Sequence, residues 1–119
     1  MFFSIGSKSS LSPLIASVIN YIRNNISADL SCKALSSHFF INRNQLSARF
    51  KKETGKTLNE FITHERIQRA KNLLTNTDKS LSEIASYLGF SSQSYFHTVF
   101  KRLTGQTPKE FRKQTSIIK

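Results

Sequence analysis

Residues 49–61 read RFKKETGKTLNEF and residues 99–111 read VFKRLTGQTPKEF. At a constant offset of 50, Phe50, Lys51, Thr54, Gly55, Thr57, Glu60 and Phe61 recur as Phe100, Lys101, Thr104, Gly105, Thr107, Glu110 and Phe111. Lys52 recurs as Arg102. Each copy reads as the end of one helix and the start of the next. Gly55 and Gly105 supply the left-handed residue that closes a last turn. Thr57 with Glu60, and Thr107 with Glu110, have capping-box spacing, in which the two side chains satisfy each other's unpaired backbone N–H groups. Pro108 suits the first position of a helix, where no N–H is needed.

Working outward, Asn42 caps a third helix with Leu46 and Phe50 inward, and Ser31 caps a short second helix with Cys32, Leu35 and Phe39 inward. Phe40-Ile41 is the turn between them. Ser12 and Pro13 open a first helix that carries Ile15, Val18, Ile19, Ile22 and Ile26 on one stripe and runs to about Asn25. A long fourth helix, about 58–75, turns Phe61, Ile62, Ile67, Ala70, Leu73 and Leu74 inward until Asn76-Thr-Asp78 breaks it. The pattern then restarts. Ser80 and Glu83 form another capping box, opening a fifth helix with Leu81, Ile84, Ala85 and Leu88 inward. Gly89 to Ser92 is a turn, a sixth helix over about 93–104 buries Phe96, Phe100 and Leu103, and a last short helix follows Thr107. Upstream of the turns the offset is 49, as in Cys32 to Leu81, so the second turn is one residue longer.

No strand alternation appears, and the fold class is all-α with about seven helices. A short helix, a tight turn and a longer helix, twice over, is the helix-turn-helix arrangement; two copies are too few for a solenoid. The expected division is 1–11 as linker or tail, 12–76 as a first helix-turn-helix subdomain with the linking helix, 77–115 as a second, and 116–119 as a tail.

Eighteen Lys and Arg stand against seven Asp and Glu, for a net charge of +11. Residues 1–41 hold only Lys8, Arg23 and Lys33; the other fifteen lie in the duplicated part. Nucleic acid is the usual partner of such a surface, with an anionic membrane as the lesser reading. The single Cys32 excludes an internal disulfide and a Cys-rich zinc site. His38, His64 and His97 are dispersed, so no metal is expected, nor any other cofactor. No phosphate loop, nucleophile elbow or paired acid site appears, and no catalytic residue is assigned. An alkyl-acceptor enzyme using Cys32 would need an activated thiolate, whereas LSCKAL reads as a core-facing helix. No apolar run approaches spanning length and the start is too short for a secretory signal, so the expected location is the cytoplasm.

The segment LSEIASYLGFSSQSYFHTVFKRLTGQTPKEFR, residues 81–112, resembles the signature of the AraC/XylS-type bacterial transcription regulators. The markers are Ile84-Ala85, Gly89-Phe90, Phe96, Phe100-Lys101-Arg102, Gly105, Pro108 and Phe111-Arg112, and FITHERIQRAKNLL at 61–74 matches as well. The resemblance covers residues 12–114. It implies a homeodomain-like pair of helix-turn-helix units joined by the fourth helix, their second helices entering successive major grooves. It also implies that the chain is the output domain of a longer regulator. Expected partners are double-stranded DNA and, as an option, RNA polymerase; no membrane is expected, and dimerisation, where it occurs, would use a region absent from this chain. Two positions depart from the family pattern: Phe40 where Gly is frequent, and Ala48 where Arg is frequent.

A groove-bound helix turns its apolar stripe away from DNA. That leaves Arg43, Asn44, Ser47 and Ala48 on the third helix as base readers, and Gln93, Ser94, Tyr95, His97 and Thr98 on the sixth. These are also the family's base-reading positions. Arg43 suits guanine or a phosphate, Asn44 and Gln93 suit adenine, and Thr98 suits a thymine methyl. Tyr95 is open between reading and packing, and Arg49 lies at the stripe's rim. Lys51, Lys52, Lys101 and Arg102 favour the helix dipole and suit phosphate contact. Thr57 and Thr107 offer capped N-termini to phosphate. Arg66, Arg69 and Lys71 read as a solvated face. The alternative is a sequence-indifferent basic nucleic-acid module; against it, Gln93 to Val99 carries no Lys or Arg, and neutral polar groups suit base edges better than phosphates.

Overall fold

The computed structural model describes residues 11–115, so the readings for residues 1–10 and 116–119 fall outside the described residues. Seven α-helices form among them: α1 (Pro13–Asn24), α2 (Cys32–His38), α3 (Arg43–Thr54), α4 (Leu58–Asn76), α5 (Leu81–Tyr87), α6 (Gln93–Thr104) and α7 (Pro108–Thr115). No strand occurs among the described residues. The chain forms two compact units, dividing between Thr63 and His64, inside α4.

In the first unit, Ile15, Val18, Ile22, Leu35, Leu46 and Phe50 are fully excluded from solvent. The start of α1 is pinned to α3. The Ser12 N–H donates to Glu53 Oε1 at 2.6 Å, and Arg49 Nη2 donates to Ser12 Oγ at 2.9 Å. Burial opposes ionisation of Glu53, but the Ser12 hydrogen bonds and the Arg49 charge outweigh it and hold the carboxyl below its ordinary range. In the second unit, Ile84, Leu88, Phe96, Val99 and Phe100 have no exposure. There Arg112 ties α7 to the end of α4: Nε donates to the Leu74 carbonyl at 3.2 Å and Nη2 to the Thr77 carbonyl at 3.1 Å.

The duplication persists in the bonding. Phe50 meets Phe61 edge-on at 5.4 Å between ring centroids, and Phe100 meets Phe111 at 5.5 Å in the same T-shape. Thr54 Oγ1 donates to the Phe50 carbonyl and Thr104 Oγ1 to the Phe100 carbonyl, both at 2.8 Å. Gly55 and Gly105 take φ of 84° and 85°, and each donates its N–H four residues back at 2.8 Å.

The two turns share one backbone solution with different residues. Phe40 (φ 55°) and Gly89 (φ 85°) both sit in the left-handed region. Ile41 N–H donates to the Ser36 carbonyl and Phe90 N–H to the Ala85 carbonyl, each at 3.0 Å, as in a Schellman closure. The Phe40 side chain is 95% exposed.

Several inward assignments are corrected. Leu103, within α6, is 48% exposed, while Val99 is fully buried: the inward row of α6 is Phe96, Val99 and Phe100. Cys32, Phe39, Leu73 and Leu81 are half-buried rather than core. Phe39 instead meets Tyr21 edge-on at 5.7 Å, and Tyr21 stacks on His38 at 4.2 Å. Arg66 is half-buried, with its guanidinium against Gly89, where an added Cβ would lie 2.9 Å from Nη2.

Candidate nucleic-acid interface

The helices α3 and α6 are each held by a cap and a buried row. Asn42 Oδ1 accepts from the N–H groups of Asn44 (2.8 Å) and Gln45 (3.2 Å), while Leu46 and Phe50 anchor α3. Ser92 Oγ accepts from the Tyr95 N–H at 3.0 Å, while Phe96, Val99 and Phe100 anchor α6. With those rows buried, Arg43, Asn44, Ser47 and Ala48 are all exposed on α3. Gln93, Ser94, Tyr95, His97 and Thr98 are all exposed on α6.

Most of these residues converge on two open depressions. One, of about 370 Å³, is lined by Cys32, Asn42, Arg43, Asn44 and Ser47. The other, of about 380 Å³, is lined by Gln93, Ser94, His97 and Thr98. Ala48 and Tyr95 line neither. Tyr95 is half-exposed and its ring lies 6.1 Å from that of Phe90, so it both packs and faces solvent. The Thr98 hydroxyl donates to the Ser94 carbonyl at 3.1 Å, which commits its proton to the helix and leaves its methyl and lone pairs available.

Lys51, Lys52, Lys101 and Arg102 are exposed in the last turns of α3 and α6, where their charge complements the helix dipole. At Thr57 and Thr107 the cap N–H is already engaged, donating to Glu60 Oε1 at 3.0 Å and Glu110 Oε1 at 2.9 Å. The Glu60 and Glu110 N–H groups return to the Thr hydroxyls at 3.0 Å. The cap hydrogen bond is the main reason each carboxyl lies below its ordinary range, with Lys51 acting on Glu60 and Lys101 and His97 on Glu110. An incoming phosphate therefore meets a bound carboxylate at each cap. The first-turn N–H groups that lack an intrahelical partner beside these caps are those of buried Leu58 and exposed Asn59 in α4, and of Lys109 in α7, because Pro108 has none.

Two participants escaped the sequence reading. Cys32 lines the first depression, its Sγ 3.3 Å from Ser47 Oγ; the inward stripe concealed this, because the first residue of a short helix sits at its edge. Arg66 packs on the second turn, a contact across the fold that local periodicity does not report. Arg49 lies at the rim as expected, and it bonds Ser12 and Glu53. Among the described residues no cluster of His, Cys, Asp or Glu is placed to hold a metal, and no helix is long and apolar enough to cross a membrane.

Comparison with known proteins agrees with this geometry. A helix-turn-helix domain model matches residues 35–114. The xylose operon regulatory protein of Haemophilus influenzae is 41% identical over 100 residues, 84% of this chain and 26% of that protein. The chain thus spans about a quarter of the length of that curated relative. The C-terminal domain of AraT, a response regulator from Geobacillus stearothermophilus, superposes with a TM-score of 0.87 at 30% identity, covering 91% of this chain and 90% of that one. A transcriptional regulator from Chromobacterium violaceum described as AraC-type superposes with a TM-score of 0.81 at 28% identity, covering 96% and 98%. With the motif order, the duplicated units and these likenesses in agreement, the chain belongs to the AraC/XylS-type helix-turn-helix family.

Proposed function

We propose that this chain binds double-stranded DNA sequence-specifically through both helix-turn-helix units and thereby regulates bacterial transcription as part of a longer regulator. The observation that carries the reading is the division of labour along α3 and α6. In α6 the exposed early face is polar and carries no Lys or Arg (Gln93, Ser94, His97, Thr98), and the cations Lys101 and Arg102 come only in the last turn. Neutral donors and acceptors suit base edges; terminal cations suit phosphates, which position the protein without carrying sequence. In α3, Asn44, Ser47 and Ala48 take the reading role, with Lys51 and Lys52 behind them, and Arg43 serves a guanine or a phosphate. Thr57 and Thr107 contribute through the open N–H groups beside them.

No reaction is assigned to the chain. Its place of action is the cytoplasm, where chromosomal DNA is reached. RNA polymerase is an optional further partner of this reading, with no residue assigned to it, and dimerisation, where it occurs, would use a region absent from this chain.

The test is selection of preferred duplexes from a random pool, followed by titration at two salt concentrations. Enrichment of two short boxes about one helical turn, roughly 34 Å, apart is the expected result. Salt-sensitive binding with no enriched sequence would reduce the chain to a backbone binder and overturn the assignment of base readers.

A further inference from the structure

The first depression contains a relay absent from the second. The Cys32 thiol donates toward the Arg43 carbonyl, 3.8 Å away, and Ser47 Oγ lies 3.3 Å from the same sulfur. A thiol has one proton. Either atom of the 3.3 Å pair can donate; when the thiol proton goes to Arg43, the sulfur accepts and the Ser47 hydroxyl donates to it. Ser47 then faces outward with lone pairs only. In the repeat, Leu81 stands in place of Cys32 and His97 in place of Ser47, so α6 has no such arrangement.

We propose that Cys32 is a positioning residue for DNA reading that fixes Ser47 as a hydrogen-bond acceptor and so biases it toward adenine or cytosine. This rests on the function proposed above. In the major groove, adenine presents the N6 amino group and cytosine the N4 amino group, while guanine and thymine present acceptors at the corresponding places. A hydroxyl whose proton is committed to sulfur bonds the first pair and repels the second. Cys32 acts through Ser47: it is half-buried behind it and helps to line the same depression.

The test compares binding-site selection by the parent chain, Cys32→Ala, Cys32→Val, Cys32→Ser, Ser47→Ala and the Cys32→Ala/Ser47→Ala double variant. The position whose preference is lost in Ser47→Ala identifies the base that Ser47 faces. There the parent should favour adenine or cytosine, and Cys32→Ala and Cys32→Val should each cut that discrimination about tenfold, the scale of one specific base contact. Cys32→Ser, which can donate and accept in the same way, should restore it. Adding Cys32→Ala to Ser47→Ala should change nothing further. The box read by α6 serves as internal control and should be unaltered throughout.

A parent preference for guanine or thymine at that position would overturn the inference. So would unchanged discrimination in both Cys32→Ala and Cys32→Val, or equal loss at both boxes, which would mark Cys32 as merely structural. A parent chain that enriches no sequence would overturn the proposed function and this inference together; enrichment that the Cys32 variants leave intact would overturn this inference alone.

Discussion

Replacing Phe40 by glycine should make the protein more stable, although it deletes the largest side chain of the first turn. Phe40 holds φ at 55°, a conformation that costs an L-residue about 1–2 kcal/mol because Cβ crowds the following carbonyl. Its ring is 95% exposed, so truncation removes almost no buried apolar surface to offset that relief. Glycine adds back about 0.5–1 kcal/mol of unfolded-state backbone entropy, leaving a net gain of about 0.5–1 kcal/mol for Phe40→Gly. The second turn provides the converse. Gly89→Ala meets the same left-handed penalty and also places Cβ 2.9 Å from Arg66 Nη2, so the guanidinium must move. Gly105→Ala, at the same φ of 85° with nothing within 4 Å of its Cβ, carries the conformational penalty alone. Urea unfolding followed by circular dichroism should rank Phe40→Gly above the parent, Gly105→Ala about 1 kcal/mol below it, and Gly89→Ala lower still. Phe40→Gly at or below parental stability would show that the ring makes a stabilising contact and refute the argument from backbone strain. Equal costs for Gly89→Ala and Gly105→Ala would refute the part assigned to Arg66.

Lys101→Ala should weaken binding to every duplex alike and lower the salt slope by about one, whereas Gln93→Ala and His97→Ala should reduce preference for the selected site more than affinity for random DNA; titrations on both at several salt concentrations check this. Arg112→Ala should lower unfolding stability by about 2 kcal/mol, because two charged hydrogen bonds to the Leu74 and Thr77 carbonyls disappear, and thermal melts should show Arg112→Lys recovering only part. Glu60, Glu83 and Glu110 are each held below the ordinary carboxylate range, first by the hydrogen bond from the cap residue's N–H. A folded-state value below the unfolded one contributes stability above the ordinary carboxylate range, and that stability is lost as pH falls through the depressed values. Unfolding midpoints should therefore decline on acidification toward that range, and Glu60→Gln with Glu110→Gln should flatten the decline.

What the chain disclosed without coordinates was its locally bonded part. A glycine after a last turn, a Thr–Glu pair three apart and a proline at a first helical position each act within a few residues, so all seven helices were legible to within about two residues. The failures arose where partners are distant. Val99 was passed over because its counterpart in the repeat is Arg49, an exposed residue that bonds Ser12; the same register serves salt-bridging in one unit and core packing in the other. Leu103 continues the stripe by spacing, yet in the fold it is half exposed, because spacing alone does not report what lies opposite. Arg66 looked like a solvated cation because its contact lies more than twenty residues along the chain, at Gly89. The exposed faces of α3 and α6 were legible, since burying Leu46 and Phe50, or Phe96 and Phe100, leaves only one side free. The thiol behind Ser47 was not, because it arrives from another helix.

The two frames share their left-handed turns, Thr hydrogen bonds and capping pairs, yet four early outward positions of α3 and α6 differ: Arg43 against Gln93, Asn44 against Ser94, Ser47 against His97, Ala48 against Thr98. In the proposed role, that mismatch gives the bound chain a direction. Reversing it on the same duplex would bring each helix to the wrong box, at a cost of about 1–3 kcal/mol per misread base pair. A single copy would thus distinguish upstream from downstream, as a palindrome reader cannot, and anything tethered to it would be carried to one side of the site.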